Sequence, residues 1–357
     1  MRRAKLHPTQ AKPEYGSRIV STLMQKLRLL FFGLGSIGKR HARLIRQHFP
    51  HEIVAFRSGL GQEPDDFGLR QVRSWEEISS QHFDVAFVTN PTFRHLETAR
   101  ACAERGLHLF IEKPIDCHTT GLETVLELVR KKRLSSYVAY PLRFHPVVQA
   151  LRTRIGNRPI LHASMVCASY LPQWRPHQDY RKTHAVHRDQ GGGVLLELSH
   201  ELDLADWLFG PIETIAGRLD CLSGLSIDAD DCADLVLKHR GGTTNIHLNY
   251  FSQHRRRVIE VDLADQFLAA DLVRSRLSVT DASGSDSIDI VADADKMYLD
   301  QLHYFFANLG RVDLDNNLED ASRLFSQIIA FRHIQYHDNI DNHMRPGRIS
   351  GGQGQEY

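Results

Sequence analysis

The stretch LRLLFFGLGSIGKRH, residues 27–41, constrains the fold of this chain more than any other segment. An apolar run, Leu27–Phe32, leads into Gly33-x-Gly35-x-x-Gly38 and then into a helical pattern over Ile37–His48. An apolar run of this length, bounded by a glycine turn, reads as a buried parallel strand. Each glycine has a job in such a strand–turn–helix unit. Gly33 permits the tight turn, Gly35 lets backbone approach a pyrophosphate, and Gly38 lets helix and strand pack closely. The free N–H groups at the helix start, around Ser36 and Ile37, are then disposed to bind phosphate. Gly33, Gly35, Ser36, Ile37 and Gly38 are therefore candidate dinucleotide-binding residues.

The same alternation continues. Apolar runs at Ile53–Phe56, Val85–Thr89, Leu107–Ile111 and Tyr137–Tyr140 read as strands. Helical periodicity covers Trp75–Ser79, Phe93–Glu104, Leu122–Lys132 and Pro146–Ile155. Alternating β and α segments imply an α/β domain, a doubly wound parallel sheet with helices on both faces, expected over 26–145. A site for NAD places an acid at the end of the second strand, roughly 20 residues past the glycines, to hold the ribose diol. Here that strand ends Ala55-Phe56-Arg57-Ser58. Arg57 can fork onto a 2′-phosphate and Ser58 can donate to it, which favours NADP over NAD.

Beyond residue 158 the period changes. Leu161–Tyr170 reads as a long strand, followed by a polar, aromatic loop and the triplet Gly191–Gly193. An apolar helix is expected over Val194–Leu208, with Glu197, His200 and Asp203 at i, i+3 and i+6. Charges on a buried helix need partners or a function. Period-two alternation follows: Ala233, Leu235 and Leu237 share one face, a two-residue turn is expected at Gly241-Gly242, and Thr244, Ile246, Leu248 and Tyr250 face inward. Ile259, Val261 and Leu263 continue the pattern; Arg255–Arg257 read as a charged strand edge. Helices over about Asp293–Leu309 and Leu318–Gln335 close the chain. The second domain, expected over 146–340, is thus α+β with a large open, mostly antiparallel sheet. Its wet face suits a second copy, as a homodimer or homotetramer.

Composition narrows the class. With 44 basic and 43 acidic residues the net charge is +1, which gives no electrostatic reason to expect nucleic acid or an anionic membrane as partner. No apolar run approaches the ~18–20 residues of a membrane span. Five cysteines, an odd number with no CxxC pair, argue for a reducing, cytoplasmic setting rather than a disulfide framework. The 21 histidines include no HExxH, and no metal site is expected. Residues 1–25 are basic and lack the apolar core of a secretory signal, and are expected to be a disordered leader. A disordered tail is expected over 341–357.

Four segments carry a resemblance: GLGSIGKRH, VTNPTFRHLETARACAERGLHLFIEKP, RFHP and GGGVLLELSHELDLADWLFG. In this order they resemble the glucose–fructose oxidoreductase / inositol dehydrogenase (Gfo/Idh/MocA) family over residues 26–340. The resemblance implies hydride transfer between nicotinamide and a carbon of a sugar, nucleotide sugar or cyclitol. It implies that Thr89, Asn90 and Pro91 line the nicotinamide ribose, with His95 in the same motif, and that Glu112 holds the cofactor ribose. Lys113, before Pro114 in a peptide expected to be cis, then moves the hydroxyl proton. Following a buried strand, its ammonium is partly desolvated, which suits it to exchange a proton near neutral pH. His200 would polarise the reacting oxygen and Glu197 orient it; members often carry an aspartate at the position of Leu196, one residue earlier. Trp174, Tyr180 and Arg181 in the polar loop, with Arg143 and Asp203, are candidate substrate contacts. The rival readings are a dinucleotide- and sugar-binding sensor, and a reductase of another carbonyl or imine.

Overall fold

The computed structural model describes residues 26–57 and 68–343, with side chains as far as residue 337. The leader over 1–25, Ser58 and the tail beyond residue 343 lie outside the described residues. Six strands make the first sheet: β1 (Arg28–Phe32), β2 (Glu52–Phe56), β3 (Arg70–Val72), β4 (Val85–Val88), β5 (His108–Glu112) and β6 (Ser136–Ala139). Their order is β3-β2-β1-β4-β5-β6 and all pairings are parallel. Helices α1 (Ser36–His48), α2 (Trp75–Ser79), α3 (His95–Glu104) and α4 (Leu122–Lys132) lie between the strands. The chain reverses its strand order at β1 and β4, the switch point outside which α/β sheets bind ligands. β3 was not anticipated; its sequence RQV has two exposed polar residues and no apolar run to read.

The second sheet has eight strands: β7 (His162–Tyr170), β8 (Ile212–Asp220), β9 (Cys232–His239), β10 (Thr243–Asn249), β11 (Phe251–Asp262), β12 (Gln266–Asp271), β13 (Arg276–Asp281) and β14 (Gly284–Asp289). Their order is β14-β13-β12-β11-β7-β10-β9-β8, antiparallel except for β7 with β10. The expected inward faces of β9 and β10 are buried, from Ala233 to Tyr250. They pack against α5 (Pro146–Ile155), α6 (Val194–Glu197) and α7 (His200–Phe209) in one hydrophobic cluster. The β9–β10 turn sits one residue earlier than expected: His239 N donates to Gly242 O at 2.9 Å, so Arg240-Gly241 form the loop. β11 lies between β7 and β12, but its pairing with β12 begins at Val258, so Arg255 and Arg256 extend past the end of β12, with Arg256 opposite Ala168 of β7.

The last two helices, α8 (Ala294–Ala307) and α9 (Leu318–His343), depart from the domain division expected above. On β1, β4 and β5, Phe31, Phe87 and Phe110 stack at 4.5 and 4.6 Å between ring centroids. Phe305 of α8 meets Phe110 edge-on at 5.2 Å, and Leu302 and Phe306 join the same buried cluster. Thus α8 covers a face of the first sheet. α9 bridges both units, with Leu318, Ala321 and Phe325 in the first sheet's core and Leu324, Ile328 and Phe331 in the second's. No helix among the described residues is long and apolar enough to cross a membrane.

Burial pushes six histidines down: His51 to about 4, and His95, His108, His145, His200 and His303 in the same direction. Once unfolded, each takes up a proton near pH 6.5, so the unfolded chain binds more protons in acid than the folded one. Stability is therefore lost as pH falls from about 6.5 toward 4. Calorimetry should give a lower melting temperature at pH 5 than at pH 7.5, and a His51→Gln variant should flatten that slope. An equal or higher melting temperature at pH 5 would contradict this assignment.

Candidate functional site

The carboxyl ends of β1, β4 and β5 face the second sheet across a cavity of about 1070 Å³. On the first-sheet side it is lined by Gly33, Gly35, Ser36, Ile37, Thr89, Asn90, Pro91, Glu112 and Lys113. Gly33 has φ +94, and a Cβ there would stand 2.6 Å from Thr89 O. The Thr89 hydroxyl donates to Gly33 O at 2.7 Å and so fixes the turn. Gly35 faces open space, with nothing within 4 Å of a Cβ position. Gly38 does not line the cavity; it packs on the turn, where a Cβ would meet Gly33 O at 2.3 Å. Asn90 donates to Thr98 Oγ1 at 2.8 Å, while its Oδ1 is buried without a partner among the described residues. An exposed backbone turn at a helix start and an unsatisfied amide oxygen fit a dinucleotide.

Glu112 is held from behind. His41 Nε2, on α1, lies 2.7 Å from Glu112 Oε1, and its ring packs edge-on against Phe110 and Tyr298. His95 is not on the helix surface. Its Nδ1 lies 2.9 Å from Pro114 O and its Nε2 2.8 Å from Asn90 O, so the ring ties the loop after β4 to the loop after β5. Burial lowers its pKa against the pull of those two carbonyls. The Lys113–Pro114 bond is cis.

The helix expected over Val194–Leu208 breaks between Glu197 and His200. Glu201 N turns to Leu198 O at 3.1 Å, which leaves the carbonyl of Glu197 outside the helical ladder. Lys113 Nζ donates to that carbonyl at 3.0 Å and lies 3.5 Å from Glu197 Oε2. Its ammonium is therefore not simply desolvated, since a carboxylate faces it. Glu197 Oε1 also pairs with His184 Nε2 at 3.0 Å. Burial alone would raise the Glu197 carboxyl, but Lys113 and His184 outweigh it and hold it well below the usual range. Gly193 of the glycine triplet makes room for Asp230: a Cβ there (φ +107) would lie 2.2 Å from Asp230 Oδ1, the carboxylate whose other oxygen caps α6 at Leu195 N.

His200 lines the cavity, and its Nδ1 is buried without a partner among the described residues. Burial, then the positive charges of Lys113 and Arg257, push its pKa well down. The ring is a neutral imidazole at neutral pH, with a single N–H to offer an oxygen in the cavity.

Other expected contacts lie elsewhere. Arg143 and Asp203 bond to each other, Nη2–Oδ1 at 2.7 Å and Nε–Oδ2 at 3.0 Å, and line no part of the cavity. Arg181 pairs with Asp179, and Tyr180 packs against the second core and accepts from Ser226 N. Of that loop, Trp174 and Arg175 do line the cavity. Arg175 Nη2 donates to Ser36 Oγ at 3.0 Å, so the loop crosses from the second sheet to the glycine turn. Arg57 follows β2, its N–H on Val72 O at 2.9 Å, outside the cavity lining.

Sequence reasoning missed His41, His184, Arg255–Arg257 and Tyr298. His41 closes the glycine segment GLGSIGKRH and could have been found there; His184 lies seven residues before the glycine triplet, and Arg255–Arg257 and Tyr298 sit in segments with no motif of their own. Away from the cavity, Cys232, Asp234 and His247 bring one donor atom each within 4.8 Å on the outer sheet face. There Asp234 Oδ1 and His247 Nδ1 satisfy each other at 2.6 Å, and burial pushes the Cys232 thiol up to about 12, against the thiolate a metal needs.

Two family models match. The first, described as an oxidoreductase family with an NAD-binding Rossmann fold, covers residues 27–140; the second, a GFO/IDH/MocA C-terminal domain, covers 149–265. The chain is 26% identical over 193 residues to the uncharacterized oxidoreductase YrbE of Bacillus subtilis, spanning 50% of this chain and 52% of that relative. It is 25% identical over 276 residues to a myo-inositol 2-dehydrogenase of Thermotoga maritima, spanning 72% and 79%. The fold is shared with an oxidoreductase from Agrobacterium radiobacter solved with NAD+, L-tartaric acid and magnesium (TM-score 0.76, 15% identity, 88% and 97% covered).

Proposed function

The chain belongs to the GFO/IDH/MocA oxidoreductase family, and from that premise we propose that it transfers a hydride between a nicotinamide cofactor and a carbinol or keto carbon of a sugar, nucleotide sugar or cyclitol. The observation that carries this reading is one cavity in which the glycine turn of β1 faces Lys113, Glu197 and His200. When bound, the nicotinamide supplies or accepts the hydride. The turn at Gly33–Ile37 holds the pyrophosphate through backbone N–H groups, with Arg175 across it. Thr89, Asn90, Pro91 and Glu112 hold the nicotinamide ribose, and His41 keeps the Glu112 carboxylate in place.

In the reducing direction Lys113 Nζ, as an ammonium beside Glu197, donates a proton to the substrate oxygen. In the oxidising direction the same nitrogen, as the free amine, takes the proton back. Neutral His200 donates its N–H to that oxygen as charge builds there. Glu197 holds Lys113 and the part-exposed His184 together, which gives the proton a route to solvent.

Titration with NADH and NADPH tests the reading by fluorescence, and micromolar binding of at least one is expected. Failure of both to bind would remove it. Arg57 is read as the contact of a 2′-phosphate, so NADPH should bind more tightly. Arg57→Asp should then weaken NADPH by roughly tenfold or more and favour NADH, from the loss of a charged hydrogen bond; an unchanged ratio would refute this role. The open face of the eight-stranded sheet is read as the contact with a second copy, and light scattering at a monomer mass would refute that.

A further inference from the structure

Arg255 and Arg256 are neighbours on β11, yet both line the cavity. A regular strand sends adjacent side chains to opposite faces. The register of β11 against β7 shifts between Phe251 and Arg256, and such an irregularity bends the strand and re-aims its side chains.

The other cations of the cavity have partners. Lys113 faces Glu197, and Arg257 forks onto buried Glu201 at 2.6 and 3.0 Å. Arg40 lies 3.5 Å from Asp295 and over the Tyr298 ring, while Arg175 reaches Ser36. The two carboxylates of the lining are also engaged, Glu112 by His41 and Glu197 by Lys113 and His184. Arg255 and Arg256 are exposed, and neither has a carboxylate within 4.0 Å among the described residues. Two adjacent guanidiniums repel each other, and a cavity walled by protein focuses their field on whatever enters it. Their forks match the paired oxygens of a carboxylate or a phosphate.

We propose that Arg255 and Arg256 bind an anionic group of the substrate, so that the protein acts on an acidic or phosphorylated sugar derivative in preference to a neutral polyol. This rests on the dinucleotide-linked reading of the same cavity.

The test uses the full chain saturated with NAD+ or NADP+, whichever binds. Galactose, glucose and N-acetylglucosamine are each compared by calorimetry with their uronic acids and their 1-phosphates. At least one charged member should bind about tenfold more tightly than its neutral parent, the size of one charged hydrogen bond. A preference confined to the uronic acids identifies a carboxylate, and one confined to the 1-phosphates identifies a phosphate. Arg255→Met/Arg256→Met should reduce that preference below about threefold, and Arg255→Lys/Arg256→Lys should restore part of it, with NADH affinity unchanged throughout. The inference is overturned if no charged member outbinds its parent, or if the preference survives in the methionine pair. Absence of cofactor binding in the unaltered protein would instead remove the underlying reading.

Discussion

Lys113→Met is expected to lower kcat by about a thousandfold while leaving NADH affinity within a few fold, since positioned proton transfer contributes roughly 10²–10⁴ in rate. Methionine keeps an unbranched apolar stem as long as the lysine's to Cε, with sulfur in place of Cδ, and lacks the nitrogen. That nitrogen does two things: it faces the cavity, and it satisfies the Glu197 carbonyl at 3.0 Å. A modest loss of melting temperature should accompany the loss of rate, because the carbonyl and the carboxylate of Glu197 both lose a partner. The two effects separate with Lys113→Arg, which keeps a positive charge there but cannot exchange its proton near neutral pH. Arg should recover stability and not turnover. Retention of most activity in the methionine variant would show that another group moves the proton.

The second large effect concerns stability. Arg143→Leu should cost about 3–5 kcal/mol and lower the melting temperature by roughly 10 °C, because it strands a buried carboxylate. Asp203 is 2% exposed, and burial already raises its pKa against the pull of Arg143. The same guanidinium bonds Asn316 Oδ1 at 3.1 Å and Asp315 Oδ1 at 3.2 Å, so it joins the segment after β6 to α7 and to the loop before α9. Asp315 is largely exposed and regains water, so the cost falls on Asp203. Arg143→Leu with Asp203→Leu should therefore be more stable than Arg143→Leu alone. Cofactor affinity should stay unchanged, since neither residue lines the cavity. A double variant as unstable as the single one would mean that Arg143 acts mainly through Asn316 or by stacking on Trp207.

Much of the first sheet was legible because its signals are local. The run Leu27–Phe32, the glycine spacing and the amphipathic start of α1 are each decided by residues within a few positions of one another. The β9 and β10 faces were legible for the same reason, through alternation. By contrast β14, GSDSID, is exposed along its whole length and has no apolar face to betray it. The helix break between Glu197 and His200 carries no proline or glycine. It is accompanied by Lys113, 84 positions earlier in the chain, which satisfies the carbonyl left outside the ladder.

By itself the sequence determined the strand–glycine–helix unit, the doubly wound domain and the candidate lysine and histidine, all from short-range pattern. Only the tertiary structure decided which charges meet. It paired Arg143 with Asp203 outside the cavity, brought His184 to Glu197, and set both Arg255 and Arg256 along the cavity beside a register shift in β11. The reason is physical: whether a charge is spent on a neighbour or left for a ligand depends on distances of a few ångströms between segments far apart in the chain, and no local periodicity encodes them.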